Sequence, residues 1–284
     1  MKSICVLLLA ATGAVPLAAQ QTFTGRISDT LCSASHQSNN AAGELTDRQC
    51  LFACIRRLAK YVLVDPDGNV LSIGNQDAMG LPLYAGRPVR ITGELQGDRL
   101  VVGKIEAIPA HLHVGHVMTN WRDTPGSRGF LPVAADEART ALVHARLAAG
   151  SATLDDIRLH AGHVLNALDP AVEPKGPGAG YGAKKAAAGA LQHLELAVKA
   201  EGATDRIAKH AAAVAPLLST VLPRIDEAVA AAQAVRTATD AGEASRAAAD
   251  LVALTLRISD EILQRAQAEM TLMLKAEGLF GMPR

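Results

Sequence analysis

The pattern of apolar residues changes once along this chain, near Pro109, and that change limits the fold more than any other feature. Before it, Thr22–Ser28, Lys60–Val64, Asn69–Ile73, Pro88–Leu95 and Arg99–Ala107 are short runs rich in Val, Ile and Thr with partial alternation, which predicts five strands. Asp65-Pro66-Asp67-Gly68 and Gln96-Gly97-Asp98 are tight-turn sequences, because Pro presets one dihedral and Gly permits positive φ, so each predicts a hairpin. A helix over Thr46–Leu58 capped by Thr46, and a short helical or turn segment around Asp77–Tyr84, complete this part. Five strands with an inserted helix predict a small OB-like β-barrel.

After Pro109 the apolar spacing becomes helical, with predicted segments at His111–Arg122, Pro132–Ala149, Thr153–Leu168, Ala183–Ala200, Asp205–Thr239 and Glu243–Glu277. Ile207, Ala211, Val214, Leu218, Val221, Ile225, Ala228, Ala232 and Val235 alternate steps of four and three, one seam that needs a partner helix. Pro216 and Pro223 interrupt that span and predict a kink or break. Gly and Pro gather in the connections Thr124–Gly129 and Pro174–Gly182, and the second reads as a flexible loop. It lacks the preceding strand and the lysine of a phosphate loop. The fold class is therefore α+β in two domains: residues 21–109 as the β-barrel and 110–284 as an Ala-rich, up-and-down helical bundle.

Met1-Lys2-Ser3, the apolar run Ile4–Val15 and Pro16-Leu17-Ala18-Ala19-Gln20 follow the charged, apolar, small-residue order of a secretory signal, so residues 1–20 are expected to be removed. Gly13 and Pro16 interrupt the run, which falls short of the roughly 20 apolar residues of a membrane span. Cys5 lies ahead of the cleavage site and leaves with the signal. The mature protein is expected in the periplasm or outside the cell, without a transmembrane anchor. Lys plus Arg total 28, matching 28 Asp plus Glu, and no basic run occurs, which argues against a nucleic-acid partner.

Three cysteines follow the signal: Cys32, Cys50 and Cys54. Cys50 and Cys54 share a face of the predicted helix, and Cys32 with His36 repeats the four-residue spacing. Three thiolates and one imidazole suit tetrahedral zinc, and copper or iron is chemically admissible. An oxidising compartment favours the other reading, a single disulfide from Cys32 to Cys50 or Cys54 with the third sulfur buried.

Eight of the nine histidines follow Pro109, at 111, 113, 116, 144, 160, 163, 193 and 210. His160 lies on the apolar stripe of Leu154, Ile157, Ala161, Val164 and Leu168, with His163 beside it, and a buried imidazole needs hydrogen bonds or a ligand. Bundle interiors bind metals and haems through such side chains, and Gly162 leaves room for a flat macrocycle or a close helix. No Cys-x-x-Cys-His occurs, so covalent haem is excluded. The bundle candidates for a metal or b-type haem are His116, His144, His160, His163, His193 and His210, with Met118 as an opposite ligand. His111 and His113 share a face only if their segment is a strand.

Gly25-Arg26-Ile27-Ser28-Asp29-Thr30-Leu31-Cys32, with Cys50, Cys54 and Lys60-Tyr61-Val62-Leu63-Val64, resembles small secreted bacterial OB-like proteins. Gly115-His116-Val117-Met118, Asp123-Thr124-Pro125-Gly126, Leu159–Val164 and Gly180-Tyr181-Gly182 resemble exported bacterial helical proteins. The resemblance implies export and two domains, and it brings no catalytic residue. No Ser, His and Asp grouping can be assigned. The functional expectation is an exported, non-enzymatic protein that binds zinc, copper or b-type haem. The alternative is an interaction module with a disulfide-stapled β domain, whose bundle meets another envelope protein.

Overall fold

The computed structural model describes residues 20–35, 45, 47–277 and 279. The predicted signal, the Thr46 cap and His36 lie outside the described residues. Five strands form one sheet: β1 (Gln21–Asp29), β2 (Tyr61–Val64), β3 (Val70–Ile73), β4 (Pro88–Gln96) and β5 (Arg99–Ala107). Each lies within two residues of its predicted ends. The order is β1-β2-β3-β5-β4, and β4 pairs back onto β1 through Gln21↔Gly93 to Arg26↔Pro88, so every strand has two neighbours. All pairs are antiparallel except the short parallel β3/β5 contact, Ser72↔Arg99 and Ile73↔Leu100.

The turns act as predicted. Asp65 accepts from the backbone N–H groups of Asp67 and Asn69 and its carbonyl accepts from Gly68, which sits at φ 87° and reverses the chain from β2 into β3. Inside the sheet, Ile27, Leu51, Leu63, Ile73, Leu81, Val89, Ile91 and Leu100 form one apolar core. Leu51 comes from α1 (Asp47–Arg56), which leaves β1 and β2 adjacent and antiparallel. Leu58 at φ 69° follows the helix end.

The remainder is mostly helical: α2 (Pro109–Met118), α3 (Phe130–Gly150), α4 (Leu154–Leu168), α5 (Ala183–Lys199), α6 (Asp205–Thr237), α7 (Ala241–Leu256) and α8 (Gln264–Ala276). Thr153, Thr204 and Asp240 cap α4, α6 and α7 by accepting the N–H of Asp156, Ile207 and Glu243. Helix α3 packs on α4, α5 and α7, α2 packs on α5, and α6 packs on α4, α5, α7 and α8. Buried alanines at 134, 138, 141, 145 and 148 on α3, and at 183, 186, 187, 190 and 197 on α5, let these two backbones approach closely.

Three local expectations need correction. Helix α6 is unbroken from Asp205 to Thr237 despite its two prolines. Pro216, Pro223 and the residues four before them, Ala212 and Ser219, are all exposed, so the carbonyls those prolines leave unpaired face water. The nine-residue seam on the opposite face is buried throughout, and its packing holds the helix together. The predicted last helix is instead two α-helices joined by a π-helical segment, Arg257–Leu263, which turns Ile258, Ser259, Ile262 and Leu263 inward.

The third correction concerns the Gly-rich connection, which is pinned. The buried Glu137 carboxylate accepts from the N–H groups of Ala179, Tyr181 and Gly182, and Asn166 accepts from Gly178. A Cβ at Gly178 would lie 2.7 Å from Glu137 and one at Gly176 would lie 2.6 Å from Asn166, so the glycines are there to let backbone reach these side chains.

Candidate metal centres

Three groups of donor atoms assemble: Cys32, Cys50 and Cys54; His113, His116 and His193; and His144, His160 and His163. Within each group the donor atoms lie within 4.8 Å of one another.

The sulfur group forms where the turn after β1 meets α1. Asp29 Oδ1 accepts the N–H groups of Leu31 and Cys32 at 2.9 Å each and so sets that turn. Cys50 and Cys54, one helical turn apart, both face inward and are 2% exposed. Cys32 Sγ lies 3.8 Å from Cys50 Sγ and 3.5 Å from Cys54 Sγ. A disulfide would bring two sulfurs to about 2.05 Å, so the expected disulfide is not formed. The spacing is close to that of a zinc site, where four ligands with Zn–S bonds of 2.3 Å place neighbouring sulfurs about 3.8 Å apart. Burial raises the Cys54 thiol above its usual range, opposed by the Cys32 contact, so an ion entering here displaces protons.

The two imidazole groups follow one plan. Helix α2 carries His113 and His116, three residues apart and therefore on one face, and His193 comes from α5. Helix α4 carries His160 and His163 at the same spacing, and His144 comes from α3. His113 Nδ1 lies 3.0 Å and His116 Nδ1 3.3 Å from His193 Nδ1. His160 Nδ1 lies 3.1 Å and His163 Nδ1 3.2 Å from His144 Nδ1. A ring nitrogen carries one proton or one lone pair in a single direction, so the shared Nδ1 can make at most one good hydrogen bond to its two neighbours. One cation among the three nitrogens satisfies all of them. Metal–nitrogen bonds of about 2.05 Å in a tetrahedron separate the donors by about 3.3 Å.

His113, His116, His144, His163 and His193 are also shifted toward the neutral form that ligation needs. Burial lowers His113 and His193 from the usual imidazole range. Burial, then the neighbouring His193 and His113, bring His116 down to about 4. His144 and His163 are lowered by burial first and then by the facing imidazoles, while the Glu173 carboxylate partly restores His163. Neutral imidazoles offer lone pairs at physiological pH.

The surroundings differ. Trp121 stands 4.8 Å from the His116 ring and 4.9 Å from His193, and Phe130 stacks on His193 at 5.4 Å. Gly189 admits that phenyl ring, since a Cβ there would lie 2.6 Å from it. Beside the second group, Arg236 passes over Gly162 and binds Glu173 at 2.7 Å. The room expected at Gly162 for a macrocycle is taken by that arginine. Haem takes donors facing a flat ring, whereas here three rings converge on one point.

Two candidates lie elsewhere. His210 Nδ1 pairs with Glu269 at 2.7 Å, and Met118 packs against the helical core. Because residues 109–118 are helical, His111 and His113 point apart, and His111 Nε2 meets Glu277 at 2.9 Å. Glu277 also accepts from Thr204 and Arg206; burial opposes its ionisation, but these hydrogen bonds outweigh burial and hold it at about 2. A cleft of about 450 Å³ beside it contains none of the nine donors, and its arginines are paired: Arg26 with Asp47, Arg90 with Glu201, Arg206 with Glu277.

His113 is the member of these groups missing from the sequence-based set. The signal was present: Leu112-His113-Val114-Gly115-His116-Val117 recurs as Leu159-His160-Ala161-Gly162-His163-Val164, differing at one position. Compared with protein-family models, curated proteins and solved structures, the chain shows no match.

Proposed function

We propose that this is an exported, non-enzymatic protein that binds transition-metal ions at its two imidazole trios and its cysteine trio. The observation that carries the reading is the convergence of three Nδ1 atoms in each imidazole trio, a contact set that shared protons satisfy only in part and one cation satisfies fully. Imidazole suits zinc and copper, and buried thiolates suit zinc or Cu(I). An OB-like barrel would carry the sulfur site and an up-and-down bundle the other two; the closed strand order and the separate apolar cores support that division. Export rests on the leader sequence.

Elemental analysis of protein prepared without an affinity tag, and loaded with zinc and copper, tests the reading. The expected result, with zinc and copper supplied together and both ions counted, is up to three ions per chain, falling by one in His116→Ala and by one in His144→Ala. Less than one bound ion per chain under metal excess would overturn it.

A further inference from the structure

The repeated motif gives the two imidazole trios the same ligands at the same spacing, so any difference in what they bind comes from their surroundings. Each trio also crosses between copies of the repeat. The His-x-x-His pair of α2 meets the lone histidine of α5, and that of α4 meets the lone histidine of α3. From this arrangement we infer that the trios select ions by charge: His113, His116 and His193 take Cu(I), while His144, His160 and His163 take a divalent ion such as Zn(II). The inference rests on the metal-binding reading above.

Two physical arguments carry it. The first is desolvation, whose cost rises with the square of the ionic charge in an apolar medium. Trp121 and Phe130, whose rings lie 5.2 Å apart, wall the first trio with aromatic surface. A monovalent ion is tolerated there far better than a divalent one, and an aromatic face also attracts a cation. At the second trio no ring other than the imidazoles makes a contact among the described residues, and the Glu173–Arg236 ion pair adjoins it.

The second argument is coordination number. Cu(I) is content with three donors in a plane, whereas Zn(II) holds four and needs a water or anion to complete three imidazoles. The aromatic wall offers such a fourth ligand no hydrogen-bond acceptor, since Phe130 has no polar atom and the Trp121 indole only donates. Beside the second trio, the Glu173–Arg236 ion pair next to Gly162 supplies polar groups to which a fourth ligand can hydrogen-bond.

Trp121 is the sole tryptophan of the chain, so its emission reports the first trio alone. Anaerobic titration with Cu(I) against a chromogenic chelator, and separately with Zn(II), is compared in the wild type, His116→Ala and His144→Ala. The cysteine trio contributes equally to all three and cancels. Cu(I) is expected to quench Trp121 in the wild type and His144→Ala but not in His116→Ala, with Cu(I) affinity at the first trio weakened at least roughly tenfold. Zn(II) is expected to lose one equivalent in His144→Ala and none in His116→Ala. His116→Gln and His144→Gln, which keep side-chain volume, replace any alanine variant whose helical circular dichroism is lost. Ions bound with the opposite assignment, or with none, overturn the selectivity while metal binding stands. Neither ion bound stoichiometrically overturns both.

Discussion

At the scale of single residues, ionisation is where sequence and environment part company. His116 and Glu277 have ordinary side chains in unusual settings, and both make the metal-free protein sensitive to acid. For His116, burial and two neighbouring imidazoles lower the folded value to about 4, below the roughly 6.5 of an unfolded chain. The unfolded state therefore binds the proton more readily, and stability falls as pH drops from about 6.5 through about 4. Glu277 is also lowered, so its contribution is complete above the unfolded carboxylate value and is lost as pH falls through about 2. Its shift corresponds to roughly 3 kcal/mol. Chemical denaturation at a series of pH values should show both windows. Glu277→Gln should flatten the lower one and leave the upper one in place.

Among the elements, the helices show which local rules held and which yielded. The strands and turns followed alternation and turn chemistry, because pairing between sequence neighbours is decided locally. The prolines of α6 did not break it, because both sit on its wet face. Pro216→Ala should raise stability by about 1–3 kcal/mol, measured by urea unfolding, as it restores a backbone hydrogen bond. No change or a loss would mean that the helix relies on the shape the proline imposes. The glycine loop was misread as flexible because its anchor, Glu137, lies 42 residues or more from the amides it binds. Glu137→Ala strips three N–H groups of their acceptor, that of buried Gly182 among them, and should cost roughly 2 kcal/mol, with faster hydrogen exchange at Ala179, Tyr181 and Gly182. If those amides exchange at the wild-type rate, the carboxylate does not hold the loop.

For the molecule as a whole, the trios join parts of the chain that contribute no continuous motif. His113 and His193 are 80 residues apart, and Cys32 and Cys54 are 22 apart. On the proposed metal-binding reading, ions at these places would bind the folded chain and not the unfolded one and so stabilise it by mass action, about 4 kcal/mol at a thousandfold excess over Kd. Calorimetry should find a higher Tm with zinc or copper than after chelator treatment, and His116→Ala with His144→Ala should remove most of the increment. Among the described residues no helix is long and apolar enough to cross a membrane.

Periodicity delivered the strands, most of the helices and the change from strands to helices near Pro109, since each depends on residues within a few positions of one another. It also supplied every cysteine and imidazole of the three trios except His113, whose repeated motif was in plain view. Composition and spacing could not say that the sulfurs would stand 3.5 and 3.8 Å apart without bonding, or which histidines would meet. Those outcomes depend on which helix faces are buried against each other, and that is settled by packing between segments far apart in the chain. His210 shows the difference: its spacing was as good as that of His193, but α8 lies opposite it with Glu269, while α2 lies opposite His193 with two more imidazoles.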